Sequence, residues 1–154
     1  MAAPMPATNP FLKFPYGPIQ MECDAHDLVV EGEIPADLSG SLYRAGPNQR
    51  FKPRSDYHLF MGDGMVHAFH IKGGKVDYNN RWVRTAKWKH EDREARALIN
   101  PMNPFDCDPD YSDFVFTDKD GTANTSTVWH GGRLLVMEEG YFVLVSIIIP
   151  STTT

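Results

Sequence analysis

Glycine and proline punctuate this chain so often, with 12 of each in 154 residues, that long helices have nowhere to run. An interior proline removes a helical hydrogen bond and clashes with the preceding turn, and glycine adds an entropic cost. What remains is a series of short segments rich in β-branched and aromatic residues, the pattern of strands separated by tight turns. Residues 66–71 and 75–78 flank Gly73-Gly74, and residues 127–130 and 133–137 flank Gly131-Gly132. Paired glycines supply the positive φ angles of a two-residue hairpin turn, so both places read as β-hairpins. The fold class expected is all-β. One helical excursion is expected at 89–98, where the charged, alanine- and leucine-containing make-up changes character, and Asn100-Pro101 ends it because the residue before proline avoids the helical region. Residues 103–120, rich in aspartate and aromatic side chains, read as a long surface loop.

Composition narrows the partners. A chain of 154 residues with 42% hydrophobic content is one domain's worth of sequence. Its net charge is −5 and it has no basic run, which argues against nucleic acid or an anionic membrane, since both are held by clustered lysine and arginine. Small-molecule chemistry fits better. Cys23 and Cys107 are too few for a disulfide scaffold and lack metal-ligand spacing, and residues 1–10 carry neither a basic nor an apolar leader region; a reducing, cytoplasmic setting is expected. The apolar run at 141–149 is shorter than the ~20 residues of a membrane-crossing helix, so no transmembrane segment is expected. Its uncharged, β-prone character instead marks an aggregation hazard, and deleting 141–154 is expected to improve solubility.

Four blocks stand in order along the chain: Leu38-Ser-Gly-Ser-Leu-Tyr-Arg-Ala-Gly-Pro-Asn48, Tyr57-His-Leu-Phe-Met-Gly-Asp-Gly-Met-Val-His67, Asn80-Arg-Trp-Val-Arg-Thr85, and Gly121-Thr-Ala-Asn-Thr-Ser-Thr-Val-Trp-His-Gly-Gly-Arg-Leu-Leu-Val-Met-Glu-Glu139. Together they resemble the carotenoid cleavage oxygenases, and Lys87-Trp-Lys89 resembles the stilbene-cleaving branch of that family. The resemblance implies a seven-bladed β-propeller that holds iron(II) on four histidines and uses O2 to split a conjugated C=C bond of an apolar alkene into two carbonyl products. Blades of roughly 40–50 residues mean that this chain supplies two or three. Residues 1–140 follow the family pattern. Residues 141–154 depart from it, which suggests a frameshift or truncation near Gly140. An unclosed ring exposes strand edges, so independent folding is not expected.

The same resemblance assigns roles. Glu139 matches a carboxylate that accepts a hydrogen bond from an iron-bound histidine, fixing ring orientation and raising ligand basicity. Phe60 matches a substrate-contacting phenylalanine, with burial in the core as its other reading. A substrate-contacting tyrosine is replaced by Pro101 or Met102, and a lysine that meets phenolic substrates is replaced by Glu138, which would repel a phenolate. No metal ligand is assigned within residues 1–154. His67 and His70 are three apart in a strand and face opposite sides, and His130 abuts a turn; His26, His58 and His90 lack partners at ligand spacing. Two other readings stay open: a β-rich module without catalysis that holds an apolar ligand on Trp82, Trp88 and Tyr111, and a truncated product without a role.

Overall fold

The computed structural model describes residues 4–111, 121–139 and 145–147. Strands β1 (Cys23–Ala25), β2 (Gly40–Asn48), β3 (Asp63–Lys72) and β4 (Lys75–Trp82) form an antiparallel sheet in the order β1-β4-β3-β2. A short helix α1 (Ala86–Glu94) follows, then a two-stranded ribbon of β5 (Ile99–Asn100) and β6 (Asn103–Cys107). The third sheet is β7 (Ser126–His130), β8 (Arg133–Met137) and β9 (Val145–Ile147). The all-β expectation holds, with a single short α-helix among the described residues.

Both expected hairpins form. Lys72 pairs with Lys75 across Gly73 and Gly74 at φ 58° and 75°, and His130 pairs with Arg133 across Gly131 and Gly132 at φ 57° and 75°. These are two successive positive-φ residues, the geometry whose twist matches that of the flanking strands.

Burial of β3 explains why its sequence does not alternate cleanly. Val66 points to one face and joins Val83, Ala123, Leu134 and Val136 in a seam against the third sheet, with Tyr43 and Ala45 packed on it. Met65 points to the other face and packs with Trp82 and Trp88, the last carried by α1. A sheet covered on both sides at its β3 start requires apolar residues at consecutive positions. A third cluster, Leu12, Tyr57 and Met61, anchors the N-terminal segment.

The helix starts three residues and ends four residues earlier than composition indicated, at Ala86–Glu94 rather than 89–98. Capping decides the matter. Thr85 Oγ1 accepts a hydrogen bond from the Trp88 amide at 3.1 Å, satisfying one of the donors that every helix start leaves free. At the other end Ala95 takes the left-handed conformation, φ 54°, and its amide donates to the carbonyls of Glu91 and Asp92. Residues beyond are captured by the helix itself: Glu91 Oε1 accepts from the amides of Leu98 and Ile99 at 2.9 and 3.2 Å.

The expected loop at 103–120 also needs correction. Its first part is strand β6, paired to β5 with an irregular register, because Asn100 Oδ1 accepts from the amides of Met102 and Asn103 at 3.0 and 3.2 Å and closes a tight turn. A 3-10 turn at Pro109–Tyr111 follows. The remainder of that loop, 112–120, lies outside the described residues, as does most of the 141–154 tail apart from the β9 backbone. Among the described residues no helix is long and apolar enough to cross a membrane.

Candidate functional site

The second and fourth sequence blocks meet at one junction between the first and third sheets. Gly64, the second residue of β3, lies there, and a Cβ on it would lie 2.1 Å from the Ala123 carbonyl oxygen and 2.7 Å from that of Thr122. The Gly64 amide donates to the Thr122 carbonyl at 2.8 Å, while the Gly64 carbonyl accepts from the Val83 amide at 2.8 Å. Ala123, fully buried, adopts φ 49° to make the approach. Glu138 closes the junction from below. Its Oε2 accepts from the Thr122 amide, from Thr122 Oγ1 at 2.5 Å and from the Ala123 amide at 2.8 Å. Asn124, 7% exposed, donates from Nδ2 to the carbonyls of Phe60 and Gly62 at 2.9 and 2.7 Å, and its Oδ1 accepts from Thr125 Oγ1 at 3.1 Å.

Beneath the junction lies a charged group with almost no contact with water. Lys87 Nζ donates to Asp63 Oδ1 and to Glu91 Oε2, both at 2.7 Å, and all three side chains are 1–2% exposed. Burial by itself would lower the Lys87 pKa; the charges of Asp63 and Glu91, and hydrogen bonds to both, overcome it and raise the value above its ordinary one. The adjacent Tyr57 hydroxyl is pushed well above its usual range, first by burial and then by the charge of Asp63. Three elements are therefore tied at one point: the start of β3, α1, and through Glu91 the chain entering β5. Sequence reading missed Asp63, Lys87, Glu91 and Asn124. The signals present were glycines on both sides of Asp63 and the i, i+4 spacing of Lys87 and Glu91.

Phe60 occupies a 3-10 turn, Leu59–Met61, that juts from this junction. Its ring is 70% exposed, which removes the core reading of this residue. His58 caps the turn by accepting from the Phe60 amide at 3.3 Å, and its ring meets Phe60 edge-on at 4.7 Å and Phe11 at 4.9 Å. Met61, on the opposite side of the turn, is buried.

Leu134 and Val136 are buried on the junction face of β8, and Glu138 continues that alternation inward. Glu139 follows on the side of Leu135 and Met137, is exposed, and has no hydrogen-bond or ion-pair partner among the described residues. Glu138, which stands where the resemblance placed a substrate-contacting lysine, is engaged by Thr122 and Ala123.

The histidines are all otherwise occupied or apart. His67 Nδ1 and the Tyr78 hydroxyl are 2.7 Å apart, and burial followed by the charge of Arg44 lowers the His67 pKa. His70 bonds to Ser41 at 2.7 Å on the other face of β3, as the three-residue spacing required. His26 pairs with Asp77 at 3.2 Å, and His90 lies on α1 within 3.1 Å of Arg93. Among the described residues no three of histidine, cysteine, aspartate and glutamate converge on one metal position, so the donor set for iron does not fit here. The proposed apolar-ligand module fares poorly at its own residues: Trp82 and Trp88 are buried, at 4% and 7% exposure, and not available on the surface. The Tyr111 side chain lies outside the described residues.

A four-stranded and a three-stranded antiparallel sheet, stacked through an apolar seam and stitched at one end by a glycine-dependent polar junction, define part of a β-propeller. The family described as retinal pigment epithelial membrane protein matches residues 16–145. The lignostilbene-alpha,beta-dioxygenase isozyme III of Sphingomonas paucimobilis is 40% identical over 124 residues, covering 79% of this chain and 24% of its own. The carotenoid 9,10(9',10')-cleavage dioxygenase 1 of Phaseolus vulgaris is 33% identical over 138 residues, covering 80% of this chain and 25% of its own. The crystal structure of Pseudomonas brassicacearum lignostilbene dioxygenase superimposes with a TM-score of 0.80 at 31% identity, over 95% of this chain and 31% of that one. The chain belongs to the carotenoid oxygenase family, which includes these lignostilbene and carotenoid-cleavage dioxygenases. It spans about a quarter of the length of the curated relatives it matches.

Proposed function

We propose that this chain is one portion of a non-haem iron(II) dioxygenase that cleaves a conjugated C=C bond of an apolar alkene with O2 into two carbonyl products. The observation that carries the reading is the junction itself. The second and fourth blocks, whose order first suggested the family, converge there. At its edge it leaves one large aromatic ring, Phe60, exposed and one carboxylate, Glu139, without a partner among the described residues. An exposed phenylalanine held beside a polar junction is suited to line an apolar cavity completed by other parts of a longer protein. A carboxylate without a partner is suited to accept a hydrogen bond from an imidazole N–H supplied from elsewhere, which would hold that ring's tautomer and orientation. Iron, when bound by such imidazoles, supplies the activation of O2; residues of this chain orient and enclose.

Substrate class follows from what stands at the contact positions. Glu138 places a carboxylate, already engaged by Thr122 and Ala123, where the stilbene-cleaving branch has lysine, so a phenolate end group gains no cation here. A neutral or weakly polar conjugated alkene, of apocarotenoid or stilbene type, is the substrate proposed. Glu139→Gln in the full-length enzyme separates the two carboxylates. Iron affinity or turnover is expected to fall roughly 10- to 100-fold, the usual loss when the acceptor of a metal-bound histidine is changed. Glu138→Gln is expected instead to lower the midpoint of thermal unfolding, because a single oxygen there accepts three hydrogen bonds. Unchanged iron retention and turnover in Glu139→Gln would remove the role assigned to that residue.

A further inference from the structure

Asn124 is the most fully committed side chain at the junction. Both of its N–H groups point at main-chain carbonyls, those of Phe60 and Gly62, and its one oxygen accepts from Thr125. It reaches them across 62 to 64 residues of sequence, from the segment that leads into β7. The turn it grips has little else to hold it from that side. A single 3-10 turn is weak on its own, secured internally by the Met61 amide to the His58 carbonyl at 2.9 Å and the Gly62 amide to the Leu59 carbonyl at 3.2 Å. Met61 is buried against Leu12 and Tyr57 and anchors one side. Phe60, mostly exposed, receives no comparable packing.

We infer that Asn124 is the positioning residue for Phe60: its amide fixes the main chain on both sides of Met61, and thereby sets where the Phe60 ring meets substrate. The chemistry is specific to an amide. Two carbonyls two residues apart need two donors on one atom, which asparagine offers and aspartate, serine and leucine do not. A carboxylate at 124 would face two carbonyl oxygens with no proton between them. The inference rests on the reading of Phe60 as a substrate contact, and its test separates the two.

In the full-length enzyme, Asn124→Ala is expected to raise KM for a stilbene such as resveratrol by about tenfold, the factor that corresponds to one lost hydrogen bond of ordinary strength, with kcat changed much less. Phe60→Ala should raise KM by a similar factor, and Asn124→Ala added to it should raise KM no further, since the ring being positioned is gone. A fully additive double variant would overturn the inference. Hydrogen exchange gives the second reading: in Asn124→Ala the Met61 and Gly62 amides should exchange at least tenfold faster, while the β7–β8 amides keep their rates. Faster exchange at Met61 and Gly62 with KM unmoved in Phe60→Ala would uphold the grip on the turn and sink the substrate role of Phe60. Should Asn124→Ala not fold, exchange in the unmodified protein decides. The Met61 and Gly62 amides should then be protected to within about tenfold of the Gly64 amide, which belongs to the same junction. A turn that frays far more readily than Gly64 is not held by Asn124.

Discussion

Gly64 has no side chain because there is no room for one, not because its backbone is unusual. Its φ lies outside the left-handed region, yet the atoms a Cβ would strike are the main-chain oxygens of Ala123 and Thr122. Main chain cannot swing aside as a flexible side chain can. Gly73 is the opposite case, with φ 58° and nothing within 4 Å of a built Cβ. Gly64→Ala must therefore push the two sheets apart, and is expected to cost at least the roughly 1–3 kcal/mol of an overpacked core. Gly73→Ala should cost about 1–2 kcal/mol from its dihedral alone. Urea unfolding of both variants checks the ranking, and a Gly64→Ala protein as stable as Gly73→Ala would mean that the approach of 122–123 to β3 is looser than described. Sequence reading could locate Gly64 inside a family block but not explain it, because the atoms that forbid a side chain come from residues 58 and 59 positions away. The same distance hid Asn124. Lys87 was hidden differently: a lysine in a charged, exposed-looking stretch gives no sign that Asp63 of β3 will join its helix neighbour Glu91 around it, all three out of water.

At the scale of elements, local chemistry was legible and capping was half legible. The glycine pairs gave both hairpins, since turn geometry is decided by the turn residues themselves. The helix was found but displaced, because alanine and leucine content at 95–98 outweighed Thr85 in the reading. In the molecule the hydroxyl of Thr85 and the capture of Leu98 and Ile99 by Glu91 set the ends. The β5–β6 ribbon depends on carboxylates. Asp106 is held below its ordinary pKa by hydrogen bonds from Ser55 and Asn100, with Arg54 adding to it, and Asp108 is held below by Arg96 and then by the Asp110 amide and Arg54. A carboxylate with a lowered folded pKa contributes stability above its unfolded value, near 3.8, and loses it as pH falls through the lowered folded value. Acid should thus loosen this ribbon. Between pH 5 and about 2.5, exchange at the Asp108 amide, which donates to the Leu98 carbonyl at 2.8 Å, is expected to gain on exchange in the β7–β8 hairpin after correction for intrinsic rates. Parallel behaviour of the two would show that Asp106 and Asp108 do not hold the ribbon.

For the whole molecule, fold class was readable from punctuation and family from the order of the blocks, whereas the faces left open were not. One face of the first sheet carries a groove of about 690 Å³ lined by Tyr16, Ile19, Phe69 and Tyr78 among others, and on the same face Leu42 is 62% exposed. Val128 on the third sheet is 43% exposed. Apolar faces of this kind drive association when nothing covers them. The tail was expected to dominate that tendency, but Val145–Ile147 pairs with β8 and so covers its edge. Deleting 141–154 would leave Arg133–Met137 as a five-residue unpaired edge in place of the three-residue β9, a longer template for intermolecular pairing. Leu42→Lys together with Val128→Lys should lower the self-association of the 154-residue chain without disturbing Val66, Leu134 or Val136 in the seam. The deletion should raise it. Sedimentation velocity on the three proteins at matched concentrations tests both statements. A deletion variant that is more monodisperse than the parent would show that the tail, and not the β8 edge or the open faces, controls association.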